Sequence, residues 1–218
     1  MSYSRRRFSQ SLLALLALGG LPPAQARELV EGRDWVPINP PQPGAGDGRI
    51  EVLEFLSYGC SHCADMNPLI KPWAKRLPEG VTFQRVPVSF GRAAWANLAR
   101  LYLALEATGD LERLDQAVFD ALHKQRANLY TPDLIFDWVA ARGVDAKAFA
   151  GIFNSFAVSG RLSRSDQLVR AYGVDAVPRI TVAGRYSVTG EGAGSLEDLL
   201  VITEALIGRA QAEAGGRA

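Results

Sequence analysis

Residues 50–63 read IEVLEFLSYGCSHC, and this stretch decides the fold. Its first seven residues, 50–56, form a short and largely apolar run of the kind that a buried central strand shows. The pattern then changes, and we predict a helix from about Ser61 to Arg76 with Cys60 at its start. The sequence therefore predicts a strand that leads directly into a helix, with two cysteines three positions apart at the junction.

The residues on either side of this stretch predict a second strand and an extended arm. Residues 81–88 (VTFQRVPV) alternate well enough to predict a second strand. Residues 27–49 are rich in proline and glycine, which favours an extended arm and a turn, so we expect regular structure to begin only after them.

Pro68 and Pro72 lie inside the predicted helix. Since each removes a backbone donor and clashes with the preceding turn, we expect a kink or a break there.

The second half of the chain predicts helices and then a hairpin. Between residues 92 and 171 the apolar residues recur at helical intervals, as expected for helices with a buried face. Residues 179–182 and 186–188 read as two short strands joined by a tight turn. A last helix is predicted from Ser195 to about Arg209.

The first 26 residues predict a secretory leader. Three arginines and no acid lie in residues 1–10, an apolar stretch covers residues 11–21, and a small-residue cleavage pattern ends at Ala26. The apolar stretch is shorter than the roughly 20 residues that a membrane-spanning helix needs. We therefore predict cleavage after Ala26. The basic start fits both the general secretory route and the twin-arginine route, and both stay open.

Composition excludes several classes of protein. The chain has 218 residues, of which 48% are hydrophobic, a fraction that is typical of a globular domain and too high for a disordered chain. Two cysteines cannot form the dense disulfide framework of a small secreted scaffold. Loss of the leader removes three arginines and leaves 21 basic against 23 acidic residues, a net charge of −2. We therefore expect no nucleic-acid partner.

The two cysteines carry the chemistry. A structural disulfide across so short a loop contributes only about 2 kcal/mol, which is a weak reason to use both cysteines. A zinc site needs about four ligands, and Cys60, Cys63, His62 and the distant His123 would have to supply all of them. Two inert buried thiols fit poorly with a cysteine at the exposed, positive end of a helix. We therefore predict thiol chemistry and no metal.

The spacing of the cysteines gives each sulfur a different environment. At a helix N-terminus the sulfur of Cys60 faces solvent, and the backbone N–H groups of the first turn favour its thiolate. His62 adds a hydrogen bond or a positive charge, which lowers the thiol pKa further. A stabilised reduced form makes the disulfide unstable, so the pair is expected to pass its disulfide on rather than keep it.

Three segments together resemble a known family. Residues 52–63 (VLEFLSYGCSHC), 85–88 (RVPV) and 173–178 (GVDAVP) look like the DsbA family of periplasmic thiol:disulfide oxidoreductases, and most closely its betaproteobacterial members. The likeness runs from the first predicted strand to the last helix. It implies an α/β protein with a thioredoxin fold and an inserted all-helical domain. It also implies that no cofactor is needed beyond the redox-active disulfide itself.

This resemblance divides the chain into five parts. They are a cleaved signal peptide (1–26), a first thioredoxin-like part with an N-terminal arm (27–91), a helical insertion (92–171), a second thioredoxin-like part (172–210) and a C-terminal tail (211–218).

The resemblance also implies roles for individual residues. Cys60 is the nucleophile that carries the mixed disulfide with the substrate, and Cys63 is the buried resolving thiol. Pro178 corresponds to a cis-proline that faces the disulfide, and with Val177 it offers backbone to an extended substrate peptide. Glu54 corresponds to an acidic residue beneath the site, where a carboxylate can move protons to or from Cys63.

Three residues depart from the family pattern. Ser61 stands where proline is usual between the first cysteine and His62, which could shift the reduction potential in either direction. Arg85 stands where lysine is common near Glu54, and since arginine stays charged, its pairing with Glu54 is harder to release. We therefore expect Ser61, His62, Glu54 and Arg85 to tune the redox properties. Arg179, which follows Pro178, has no evident role from sequence.

The predicted function is the donation of the Cys60–Cys63 disulfide to newly exported, reduced proteins in the periplasm. A monomer is expected, with reoxidation by a membrane quinone reductase of the DsbB type. A disulfide reductase or isomerase is the alternative within the same chemistry, although residues 27–49 are too short to form the dimerisation domain of an isomerase. A non-catalytic chaperone that uses the groove beside Pro178, or a copper-binding module, is the alternative from another class.

Overall fold

The structure is a computed structural model that describes residues 28–46 and 48–216. The predicted signal peptide, residues 1–26, lies outside the described residues, as do the last two residues of the predicted tail. No helix of the described ranges is long and apolar enough to cross a membrane.

A five-stranded mixed sheet forms the centre of the molecule. Its spatial order is β1-β5-β4-β2-β3, in which β2 and β3 are parallel and the other neighbours are antiparallel. The strands are β1 (Trp35–Pro37), β2 (Ile50–Leu56), β3 (Val81–Pro87), β4 (Arg179–Val182) and β5 (Tyr186–Val188). The predicted central strand, β2, lies between β3 and β4, and five of its seven side chains in succession, residues 52–56, are buried, as its apolar sequence indicates.

Seven helices are present in the described residues, and five of them follow one another between β3 and β4. The helices are α1 (Ser61–Ala74), α2 (Ala93–Thr108), α3 (Leu111–His123), α4 (Pro132–Ala140), α5 (Ala146–Phe153), α6 (Phe156–Ala171) and α7 (Leu196–Gly215). Helices α1 and α7 pack with Trp35, Val52, Ile180 and other sheet residues in one apolar cluster, and α2 to α6 enclose another. Because Cys63 belongs to the second cluster, the two cysteines lie where the sheet meets the helical segment.

The arm before β2 contains a strand that the sequence did not predict. β1 pairs antiparallel with β5, with Trp35 opposite Val188. Trp35 is buried and packs edge-on against Tyr186, with ring centroids 5.0 Å apart. The expectation that regular structure begins only after residue 49 is therefore wrong. This three-residue strand is held by partners more than 140 positions away, so its local sequence carries little sign of it.

Helix α1 continues through both of its prolines, so the expected break is absent. Pro68 and Pro72 are exposed, and the helix extends without interruption from Ser61 to Ala74. On its opposite side Ile70 and Trp73 are buried. Burial of this apolar face stabilises the helix and offsets the loss of two backbone hydrogen bonds. The loss is also small because the prolines lie on the exposed side, where solvent reaches the backbone.

Helix α7 ends later than its sequence indicates. It extends to Gly215, whereas the sequence predicts an end near Arg209 and a C-terminal tail from residue 211. Glu213 accepts hydrogen bonds from Tyr186 Oη at 2.6 Å and from Arg185 Nη1 at 2.5 Å. These bonds to the β5 region stabilise the last turns of the helix, and no pattern within residues 210–218 shows them.

Candidate active site

The turn between β2 and α1 places Cys60 at a helix N-terminus. The backbone N–H of Cys60 donates to Ser57 O at 3.0 Å, and the N–H of Gly59 donates to Ser57 Oγ at 3.1 Å. Cys60 is the N-cap, with extended backbone angles of φ −103° and ψ 120°. A Cβ atom at Gly59 would lie 2.9 Å from Trp95 Nε1, so glycine is required for the close approach of this turn to α2.

The two cysteines differ in exposure, and both are free thiols. Cys60 is half-buried, whereas Cys63, one turn into α1, is fully buried. Only Cys60 is therefore accessible to another protein. Ser61 and His62, which separate the cysteines, are both exposed on the first turn of the helix.

The thiols also differ in acidity. A hydrogen bond from the Cys63 thiol, with further bonds from the backbone N–H groups of Cys63 and His62, lowers the pKa of Cys60 to about 6 against the opposing effect of burial. Burial raises the pKa of Cys63 far above its ordinary value, the hydrogen bond to Cys60 and the negative charge of Cys60 add to this increase, and Glu54 contributes less. At neutral pH the reduced site therefore holds one thiolate, on Cys60, and one thiol, on Cys63.

The loop before β4 faces the outer sulfur. Cys60 Sγ lies 3.2 Å from Val177 O, across 117 positions of sequence, and donates a hydrogen bond to it when the thiol is protonated. The Val177–Pro178 peptide bond is cis. Pro178 and His62 line a cavity of about 450 Å³ beside Cys60, together with Arg179. The structure thus brings Val177, Pro178 and His62 together around the accessible thiol.

Beneath the cysteines lies a buried cluster of charged side chains. Glu54 and Arg85 are paired across the parallel strands β2 and β3, and Arg85 Nε donates to Glu54 Oε2 at 2.7 Å. Arg85 Nη1 donates to Asp115 Oδ2 at 3.0 Å, and Tyr58 Oη donates to Asp115 Oδ1 at 2.8 Å. Glu54 and Asp115 are fully buried. Arg85 therefore bridges two carboxylates, one from the sheet and one from the helical segment.

The acidity of these groups follows from their burial and their partners. Burial raises the pKa of Glu54, although Arg85 opposes this shift. Burial also disfavours the charge of Arg85, but Glu54 and Asp115 outweigh it and hold the pKa of Arg85 above its ordinary value. Glu54 Oε1 and Arg85 Nη2 are buried without a hydrogen-bond partner in the structure. Burial therefore makes protonation of Glu54 easier than that of an exposed carboxyl group, while Arg85 works against it.

Sequence reasoning missed three residues of this site. Asp115 and Tyr58 complete the charged cluster, and His123 Nε2 donates to Tyr58 O at 2.7 Å, in the turn before Cys60. The sequence does contain one indication of the role of Asp115: it is an acidic residue inside the apolar stripe of α3, between the buried Leu114 and Val118. His123, considered in the sequence only as a metal ligand, thus contacts the cysteine-bearing turn instead. The described residues contain no group of three or more potential metal ligands.

We predict that Cys60 titrates near pH 6 in the reduced protein. Its pKa in the folded chain is about 6, below the value of about 8.5 for an unperturbed cysteine. A lowered pKa stabilises the folded reduced form fully above about pH 8.5, and this contribution is lost as the pH falls through about 6. The ultraviolet absorbance of the thiolate measures the transition directly. Cys60→Ser is expected to lose this transition, which assigns it to Cys60, whereas a wild-type midpoint at pH 8 or above would contradict the prediction.

Comparison with known proteins identifies similar chains and structures. Residues 51–201 match the family model described as DSBA-like thioredoxin domain. The thiol:disulfide interchange protein DsbA of Pseudomonas aeruginosa is 37% identical over 204 residues, which cover 94% of this chain and 96% of that protein. The protein of the same name from Burkholderia cepacia is 35% identical over 208 residues, covering 95% and 98%.

Solved structures of similar proteins have the same fold. The crystal structure of Pseudomonas aeruginosa DsbA superposes with a TM-score of 0.81 at 36% identity and covers 86% of this chain and 97% of that one. The oxidoreductase DsbA from Xylella fastidiosa superposes with a TM-score of 0.76 at 34% identity, covering 85% and 98%.

Proposed function

Because the chain belongs to the DSBA-like thioredoxin family, we propose that it acts in the periplasm and donates its Cys60–Cys63 disulfide to newly exported, reduced proteins. The predicted α/β class and thioredoxin-like fold are confirmed by the same relatives. Proteins of this family act as protein-disulfide oxidoreductases through their own redox-active disulfide, without a cofactor. One observation supports the proposed roles above all others: an accessible Cys60 of low pKa stands beside a buried Cys63 of high pKa.

Disulfide transfer proceeds in two exchange steps. A client thiolate attacks Cys60 Sγ of the oxidised site, the bond between the two sulfurs breaks, and Cys63 leaves with the electron pair. A second client thiolate then attacks the client sulfur of the mixed disulfide, and Cys60 leaves as a thiolate. The client loses two electrons and gains a disulfide, while the protein gains two electrons as a dithiol. The low pKa of Cys60 favours its departure in the second step.

The first step needs a proton for Cys63. Its thiolate is strongly disfavoured where it is buried, so a nearby acid must supply a proton as the sulfur leaves. We assign this role to Glu54, whose raised pKa lets it exist in the protonated form more readily than an exposed carboxyl group. Arg85 stabilises the charged form of Glu54 and thereby makes protonation of Glu54 less favourable.

The backbone before β4 is assigned to client binding. Val177 O lies 3.2 Å from Cys60 Sγ, so a client chain attached to Cys60 passes directly over Val177 and Pro178. An extended segment can add its backbone hydrogen bonds there as a short extra strand. Since these bonds do not depend on side chains, they suit reduced clients of varied sequence.

Client oxidation tests the proposal. Mixing the oxidised protein with reduced, unfolded ribonuclease A is expected to move one disulfide to the client for each pair of protein thiols formed. Equilibration with glutathione is expected to give a reduction potential well above the roughly −270 mV of thioredoxin. A potential near that value would favour the reductase alternative, and a client that stays reduced would exclude disulfide donation. The same titration of Ser61→Pro, compared with the wild type, shows in which direction Ser61 shifts the potential.

Location and reoxidation complete the proposal. The basic and apolar leader supports export to the periplasm, and N-terminal sequencing of the exported protein is expected to begin at Arg27. Repeated turnover requires an electron acceptor, which we assign to a DsbB-type quinone reductase in the membrane. Addition of membranes that contain such a reductase and quinone is expected to convert stoichiometric client oxidation into multiple turnovers.

A further inference from the structure

Arg179 stands at the edge of the cavity beside Cys60. It follows Pro178 directly, begins β4, and lines the cavity of about 450 Å³ together with His62. Two bonds hold its guanidinium: Nη1 donates to Val188 O at 3.2 Å, and Nη2 donates to Asp175 Oδ1 at 3.0 Å. The side chain is still 21% exposed, so it is fixed in position and accessible to a bound chain.

Apart from Arg179 and His62, the cavity is lined by apolar residues and one glycine, and no acidic residue of the described ranges lines it. Its floor is formed by Ile180, Val188, Leu196 and Leu199. An apolar floor with a fixed arginine at its edge is complementary to a segment that combines apolar side chains with a carboxylate.

The position of Arg179 defines which client residue it meets. A client cysteine bound to Cys60 lies beside Val177, and Arg179 follows just beyond the cis bond between Val177 and Pro178, where it lines the same cavity as His62. In an extended chain the side chains of every second residue lie on one face, about 6–7 Å apart. A client side chain two positions from the reacting cysteine therefore reaches the neighbourhood of Arg179.

We propose that Arg179 is a specificity-determining residue that favours client cysteines with Asp or Glu two residues away. The inference rests on the proposed disulfide donation and specifies its substrate class. A guanidinium has five N–H donors, and the two bonds given among the described residues leave three for a client carboxylate. Asp175 is an exposed competitor, 83% accessible at its side chain, and a client carboxylate can displace it easily.

Cysteine peptides that differ at one position test this proposal. Peptides with Glu, Gln or Lys two residues before or two residues after a single cysteine are oxidised by the full-length oxidised protein, and second-order rate constants are measured. A neighbouring charge also changes the acidity of the peptide thiol, and this effect is the same for both proteins. We therefore take the ratio of the Glu-peptide rate to the Lys-peptide rate for the wild type and divide it by the same ratio for Arg179→Gln. This quotient is expected to be about fivefold on at least one side of the cysteine, as for a partly exposed ion pair, and to fall towards one near 1 M salt.

Three further variants separate the role of Arg179 from general effects. Arg170→Gln removes the same charge from an exposed position in α6 that does not line the cavity, and it is expected to keep the wild-type rate ratio. Asp175→Asn removes the competing carboxylate at an exposed position and is expected to raise the ratio above that of the wild type. Because loss of Asp175 also removes a negative charge that repels Glu peptides, Arg179→Lys, which keeps the charge, serves as the second variant if Arg179→Gln is poorly folded, and it is expected to keep most of the wild-type ratio.

The outcomes distinguish this inference from the function on which it rests. Equal rate ratios for the wild type, Arg179→Gln and Asp175→Asn would overturn the role of Arg179 and leave disulfide donation intact. That result would reduce Arg179 to a structural link between Asp175 and Val188. Failure of the wild type to oxidise any of the peptides would overturn the proposed function and the specificity together.

Discussion

Replacement of Cys60 by Ser is expected to abolish disulfide transfer completely, because Cys60 is the accessible sulfur of the pair and the only one that a client can reach. Replacement of Cys63 by Ser has a different expected result. Cys60 then forms a mixed disulfide with a client or with an added disulfide reagent, and no buried thiol resolves it. Acid quenching followed by non-reducing electrophoresis and mass measurement distinguishes the two variants.

This pair of variants also separates the enzyme from the chaperone alternative. A chaperone that uses the groove beside Pro178 would suppress client aggregation equally well with Cys60→Ser, whereas an oxidase would lose all transfer. The thermal unfolding of both variants should match that of the reduced wild type closely enough to show an intact fold. Disulfide transfer by folded Cys60→Ser would contradict the assignment of the nucleophile.

Replacement of Arg85 by Met is expected to lower the free energy of unfolding by about 3–5 kcal/mol, the usual effect of removing one partner from a buried ion pair. Arg85 is the group that bridges Glu54 and Asp115, and both carboxylates are fully buried. Without it, Asp115 retains the hydrogen bond from Tyr58 Oη at 2.8 Å, and the remaining cation at its carboxylate is the more distant Lys71, whose Nζ is 3.4 Å from Oδ2. Urea unfolding of the reduced protein measures the loss.

Matched variants show whether burial of the charges is the cause. Arg113→Met removes an exposed arginine that pairs with Asp110, and it is expected to cost less than about 1 kcal/mol. Adding Glu54→Gln to Arg85→Met should restore part of the stability, because one uncompensated carboxylate is removed. If Arg85→Met cost no more than Arg113→Met, the cluster would not be an important stabilising feature.

The decrease in the free energy of unfolding caused by Arg85→Met is also expected to depend on pH. Burial raises the pKa of Glu54 in the wild type, and loss of Arg85 removes the main influence that lowers it. A group with a raised pKa is accommodated best when protonated, so its stabilising contribution is present at low pH and lost as the pH rises through its folded value. The stability deficit of the variant is therefore expected to be larger at pH 8 than at pH 5.

Elements with strong local signals were predictable from the sequence. The apolar run of β2 and the two strands β4 and β5 lie where their patterns indicate. The hairpin turn is typical as well, because Ala183 and Gly184 both have positive φ, 54° and 65°. In each case the information lies within a few neighbouring residues. The strand β1 and the last turns of α7 could not be predicted because distant partners hold them.

The sequence by itself determined the kind of chemistry. A strand that leads into a helix at Cys60, with Cys63 one turn later, is sufficient to place one sulfur at the exposed helix N-terminus and to orient backbone N–H groups towards it. Those relations are local, since they depend on the geometry of a single helical turn. No other cysteine is present in the chain, so thiol chemistry is confined to this site.

Only the tertiary structure decided which groups surround the sulfurs. Val177 O lies against Cys60 from 117 positions away, Asp115 completes the charged cluster from the helical segment, and Arg179 faces the cavity beside His62. The physical reason is that burial and electrostatic interaction depend on distance in space. Packing of the helical segment against the sheet buries Cys63 and Glu54 and thereby raises the pKa of both, and neighbouring residues in the sequence carry no record of it.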